Sequence, residues 1–166
     1  HKANPAANNT IDPLATNMPF WYHFQRVAKR TALIEKPIIA AVNGMSTGAG
    51  MDMILHCDIM FASKNAIFRA SYAAFGLVPG NGGTYFLPRI VGTSKALELF
   101  WSTDVIDSEE ALRIGLINKI FSEEELMEKT REWLNNVLNK ATIPVRVITR
   151  LIYRKVNMDI NTSLEW

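Results

Sequence analysis

The residues best suited to chemistry by type and spacing are Asn43-Gly44-Met45-Ser46-Thr47-Gly48-Ala49-Gly50-Met51-Asp52. Glycines at positions 44, 48 and 50, with small neighbours, let the backbone turn sharply and let a ligand come close. A helix starting after the turn would aim unbonded N–H groups and its positive dipole end at that ligand. A carbonyl oxygen that gains negative charge in a transition state would be stabilised there, as in an oxyanion hole. A tight turn between a strand and a helix needs the same glycines, so spacing leaves both readings open. Asp52 falls in the first turn of the expected helix. Complementing the dipole is its simplest role. Its chemical role would be a general acid or base, because an apolar, water-poor pocket raises a carboxylate pKa towards a useful range.

A second cluster, Phe75-Gly76-Leu77-Val78-Pro79-Gly80-Asn81-Gly82-Gly83-Thr84, reads as a loop that enters a helix whose first amides are again free. It is not a phosphate loop, since no Lys-Ser or Lys-Thr follows at the required spacing. The dinucleotide fingerprint also fails, because Gly48-Ala49-Gly50 is not followed by a third glycine in place. Ser46 lacks the context of a nucleophile elbow. Cys57 lies in an apolar stretch and reads as core. His1, His23 and His56 have no metal-ligand spacing, and His56 near a helix C-terminus is explained by the dipole.

Placing these clusters requires an α/β scaffold. Phe20, Phe24, Val27, Thr31 and Ile34 recur at helical spacing and predict a helix over 19–35, stopped by Pro37. Ile38-Ile39-Ala40-Ala41-Val42 predicts a buried strand, 51–56 a short helix, 58–62 a strand and 66–70 another. Helices are expected over 84–91 and 94–101. Asp107 with Glu110, and Ser122 with Glu125, predict capped helix starts at about 108 and 123, with a short strand over 116–121 between them. Leu126, Thr130, Trp133, Val137 and Leu138 mark one apolar face. Val145, Ile148, Leu151, Ile152 and Val156 mark another, on a last helix opened by Pro144. The segment 1–19 reads as a loop. Strands alternating with helices imply right-handed crossovers.

Composition narrows the class. Of 166 residues, 48% are apolar and 20% charged, which suits one globular domain or most of one. A net charge of +2, from 18 basic and 16 acidic residues, with no basic run, argues against nucleic-acid binding. One cysteine excludes an internal disulfide and favours a reducing, cytoplasmic location. No apolar run is long enough for a membrane span, and the start lacks a signal pattern.

Several motifs occur together in order. Lys36-Pro37-Ile38-Ile39-Ala40-Ala41-Val42-Asn43-Gly44, then Gly48-Ala49-Gly50-Met51-Asp52 and Cys57-Asp58-Ile59, resemble the strand, turn and oxyanion helix of the crotonase (enoyl-CoA hydratase/isomerase) superfamily. The run from Phe75 to Thr84, Leu87-Pro88-Arg89-Ile90-Val91-Gly92, and 111–119 resemble its later signatures. The Gly-Ala-Gly turn and the run Gly82 to Arg89 are most similar to isomerases of the phenylacetate route.

The resemblance implies an α/β spiral of ββα turns over 1–121, lacking its N-terminal part, and an incomplete helical trimerisation region over 122–166. The chain is thus expected to be truncated at both ends, with a homotrimer or dimer of trimers as the assembly. It implies an acyl-CoA thioester as substrate, with no separate cofactor and no metal, and an enolate held by the Ala49 amide. Gly48, Gly80 and Asn81 would lie at the oxyanion and substrate-binding positions. The family's hydratases carry two glutamates. Asp52 stands at the first of these positions and Tyr72 at the second, and Gly80 stands where some isomerases have Asp. The expected reaction is double-bond isomerisation or hydration with Asp52 and Tyr72 as catalytic residues. The alternatives are a non-catalytic acyl-CoA binding or assembly protein, and a CoA thioester hydrolase or decarboxylase.

Overall fold

The computed structural model describes residues 18–140, 142–155 and 158–164. Helix α1 (Met18–Thr31) leads into β1 (Ile39–Val42), β2 (Met45–Thr47) and α2 (Ala49–Ile54). A second turn of chain supplies β3 (Ile59–Ser63), β4 (Ile67–Arg69), a 3-10 turn at Ala73–Phe75, and α3 (Gly83–Val91) and α4 (Thr93–Ser102). The remainder is β5 (Val105–Asp107), α5 (Ser108–Arg113), β6 (Lys119–Phe121), α6 (Leu126–Leu138), α7 (Thr142–Lys155) and α8 (Ile160–Leu164).

Two three-stranded sheets result, ordered β1-β3-β6 and β2-β4-β5. Each turn of the chain gives one strand to each sheet, so the path is a spiral of ββα units. The pairs β1·β3, β3·β6 and β2·β4 are parallel, and β4·β5 is antiparallel. The core gathers Met51 of α2 with Leu55, Met60, Phe68, Leu87, Leu99 and Leu116 in one buried cluster. Each such burial contributes about 1.5–3 kcal/mol.

The chain departs from its hydrophobic pattern in identifiable places. The apolar period through Ile34 predicted a longer first helix, but α1 ends at Thr31, whose hydroxyl donates to the Val27 and Ala28 carbonyls. Leu33 and Ile34 are exposed beyond it. Strands β2 and β5 were not predicted, because each has three residues and only its middle side chain is buried. Pro88 sits inside α3 without ending it. The side chain of Asp107 accepts from the Glu110 N–H at 2.8 Å and caps α5 as expected. Ile148 and Ile152 of the expected apolar face on α7 are exposed. Val156, and all but the end of the segment 1–19, lie outside the described residues. No described helix is long and apolar enough to cross a membrane.

Candidate active site

Gly48 opens α2 with φ 51°, a left-handed conformation that favours glycine. Its N–H donates to the Arg69 carbonyl at 3.0 Å, which ties the turn to the end of β4. Added bulk has little room, since a Cβ at Gly48 would lie 3.2 Å from Ser71 Oγ. Ala49, as first residue of α2, has no earlier helical carbonyl to bond and leaves an amide at the helix start.

Beside that amide lies a pocket of about 240 Å³. Its wall includes Gly48, Ala49, Ser71, Tyr72, Gly80 and Asn81. Five of the six residues singled out in the sequence therefore meet at one pocket, although they come from the α2 start, the segment after β4 and the loop before α3. Phe75 and Leu77 add apolar surface.

Asp52, the sixth, does not line this pocket. It is 1% exposed, and its Oδ2 accepts a hydrogen bond from the Tyr72 hydroxyl at 2.7 Å. The backbone N–H groups of Asn81 and Gly83 also donate to its carboxylate. Gly83 must be glycine for this contact, because a Cβ there would collide with the Asp52 carboxylate. Burial raises the Asp52 pKa above its ordinary value. The Tyr72 hydroxyl, the two backbone N–H groups and His56 oppose the rise without cancelling it. Burial, then the hydrogen bond and the charge of Asp52, push the Tyr72 pKa well up, so this hydroxyl keeps its proton.

His56 was not singled out as functional in the sequence. Its Nε2 lies 2.7 Å from the Asn81 carbonyl oxygen, and since a carbonyl only accepts, Nε2 carries the hydrogen. Asp52 and His56 thus grip the two sides of residue 81, one at its N–H and the other at its C=O. The available signal was nearness in sequence, since His56 follows Asp52 by four residues and lies just past the end of α2. Phe86 packs on the His56 ring with centroids 5.0 Å apart. Cys57 is partly buried, with its thiol pushed up to about 11 by burial and then by Asp58. Among the described residues there is no group of three or more His, Cys, Asp or Glu that could hold a metal ion.

A family model described as enoyl-CoA hydratase/isomerase matches residues 7–166. A short-chain-enoyl-CoA hydratase of Clostridium acetobutylicum is 41% identical over 139 residues, covering 84% of this chain and 53% of the relative. A crotonyl-CoA hydratase of Syntrophomonas wolfei is 37% identical over 140 residues, covering 84% and 54%. The chain thus spans about half the length of these curated relatives. Among solved structures, an enoyl-CoA hydratase from Bacillus anthracis superposes with TM-score 0.85 at 28% identity, covering 92% of this chain and 60% of that one. The ββα spiral expected from the motifs is therefore the fold of this chain.

Proposed function

The chain belongs to the enoyl-CoA hydratase/isomerase family, and from that premise we propose that its protein shifts a double bond along a short acyl-CoA thioester. The observation that carries this reading is the Asp52–Tyr72 pair, buried directly behind a pocket that the Ala49 amide borders. Among the described residues no carboxylate lines the pocket itself, and Asp52 reaches it through the Tyr72 hydroxyl.

The thioester oxygen would accept from the Ala49 N–H. The Tyr72 hydroxyl oxygen would take a proton from Cα while passing its own proton to Asp52, so the tyrosine stays neutral and the carboxylate becomes protonated. The electron pair of that C–H bond passes into the carbonyl system and gives the enolate. As the pair returns, the proton is delivered to Cγ, and the double bond moves from the β,γ to the α,β position. One proton is taken and one given back, so a single carboxylate suffices. Burial raises its pKa, which makes it a better proton acceptor than an exposed carboxylate.

Hydration is the second reading. It is favoured by the hydratase names of the relatives from Clostridium acetobutylicum and Syntrophomonas wolfei. Adding water to Cβ and a proton to Cα asks for a group to orient the water as well as the acid, a role left here to Tyr72. The region 122–166 is proposed to support self-association. The exposed Ile143, Ile148 and Ile152 of α7 favour this, and light scattering of the purified protein checks it.

Incubation with 3-enoyl-CoA and 2-enoyl-CoA thioesters separates the readings. Isomerisation turns the first into the second, and hydration consumes the second to a hydroxyacyl product. Release of free CoA would point to a hydrolase, and binding with no conversion to a non-catalytic carrier. Full activity in Asp52→Asn would remove Asp52 from the mechanism.

A further inference from the structure

Asn81 combines two properties that a purely structural residue has no reason to combine. Its main chain is held on both sides, with its N–H given to Asp52 and its carbonyl receiving the His56 Nε2 hydrogen at 2.7 Å. Its side chain, by contrast, is unpaired. The residue is 2% exposed, and neither Oδ1 nor Nδ2 has a hydrogen-bond partner among the described residues. Nearly all buried polar groups in native proteins are bonded, so a carboxamide left without partners calls for an explanation.

Its location supplies one. Asn81 forms part of the wall of the pocket that also holds Ala49 and Tyr72. Ser63 Oγ, another buried and unpaired side-chain atom among the described residues, is on β3 and does not line that pocket. No hydrogen bond locks the Asn81 carboxamide in its rotamer, so turning it towards the pocket breaks none. A carboxamide offers both a donor and an acceptor. The group that satisfies both from one atom is a hydroxyl.

We propose that Asn81 determines specificity by hydrogen-bonding a hydroxyl carried on the acyl chain at a carbon other than Cβ, so that the preferred ligands are acyl thioesters with such a hydroxyl rather than plain hydrocarbon ones. The inference rests on the acyl-CoA reading above, in either its isomerising or its hydrating form. The apolar contribution of Phe75 and Leu77 suits the hydrocarbon part of such a chain, and Asn81 is the polar exception in that wall with no partner of its own. A pocket that satisfies a ligand hydroxyl through an otherwise unpaired group discriminates against the ligand lacking it far more strongly than a hydrophobic pocket discriminates by one methylene.

The test is equilibrium binding of pentanoyl-CoA and its 2-, 4- and 5-hydroxy derivatives to the intact protein, by calorimetry. At least one hydroxy derivative is expected to bind about tenfold or more tightly than pentanoyl-CoA. In Asn81→Leu, which keeps the bulk and removes the polar atoms, that preference is expected to vanish while pentanoyl-CoA still binds. Equal affinity of all four ligands for the wild-type protein overturns the proposal and leaves the acyl-CoA reading intact. In that case a water molecule is the partner of Asn81. A preference that survives in Asn81→Leu also overturns it. Failure of every CoA thioester to bind overturns the acyl-CoA reading and this inference with it. The wild-type comparison decides the matter even if the variant does not fold.

Discussion

The Tyr72 hydroxyl lies 2.7 Å from Asp52 Oδ2, and of the two residues only Tyr72 lines the pocket. The carboxylate therefore acts through a neighbour's hydroxyl. Tyr72→Phe keeps the ring and removes that path. It is expected to lower kcat on 3-enoyl-CoA by about 10²–10⁴, the usual contribution of general acid–base catalysis, with a smaller change in KM. Asp52→Asn should fall in the same range, and the double variant should be little worse than either single one. Additive losses would show that the two residues act separately.

Burial raises the Asp52 pKa, which sets the sign of its effect on stability. The folded state holds the Asp52 proton more tightly than the unfolded chain does. The resulting stabilisation is complete below the unfolded pKa and is lost as pH rises through the higher folded value. Asp52→Asn stays neutral throughout. The difference in melting temperature, wild type minus variant, should thus fall from acid pH towards neutral pH. A difference that rises over that range would mean a depressed pKa and would contradict the burial argument.

Gly83 and Gly50 make a matched pair of tests. A Cβ at Gly83 would strike the Asp52 carboxylate, whereas one at Gly50 meets nothing within 4 Å. Gly83→Ala should destabilise the fold by about 1–3 kcal/mol through overpacking. Gly50→Ala, inside α2, should stabilise it by about 0.5–1 kcal/mol through helix propensity. Urea midpoints of the two variants provide the measurement.

These contrasts show where the sequence was readable. Gly48, Ala49 and Asp52 stood out because a glycine turn between an apolar run and a helix is a local pattern. Tyr72 and Gly80 were placed only through the ordered family motifs, since nothing about a lone tyrosine or glycine marks a pocket. The bond from His56 to Asn81 spans 25 positions and depends on how α2 meets the loop before α3, which no local period encodes. Strands β2 and β5 escaped because three residues do not establish an alternation. The end of α1 was misplaced because Leu33 and Ile34 continue the apolar period while standing exposed.

His56 provides a last test, because it holds the loop that carries Asn81 by a backbone carbonyl. Removing its ring leaves the Asn81 carbonyl without its donor, and a part-buried acceptor without a partner costs about 1–3 kcal/mol. His56→Ala should therefore lower the urea midpoint. It should also loosen residue 81, whose N–H is one of the donors to Asp52. With that donor less well held, burial acts on the carboxylate with less opposition, and its pKa should rise further. The acid limb of the pH–rate profile should move to higher pH in His56→Ala. His56→Gln supplies an N–H that can reach the same carbonyl and should restore both the midpoint and the profile. A lower midpoint with an unmoved acid limb in His56→Ala would confine His56 to a structural role.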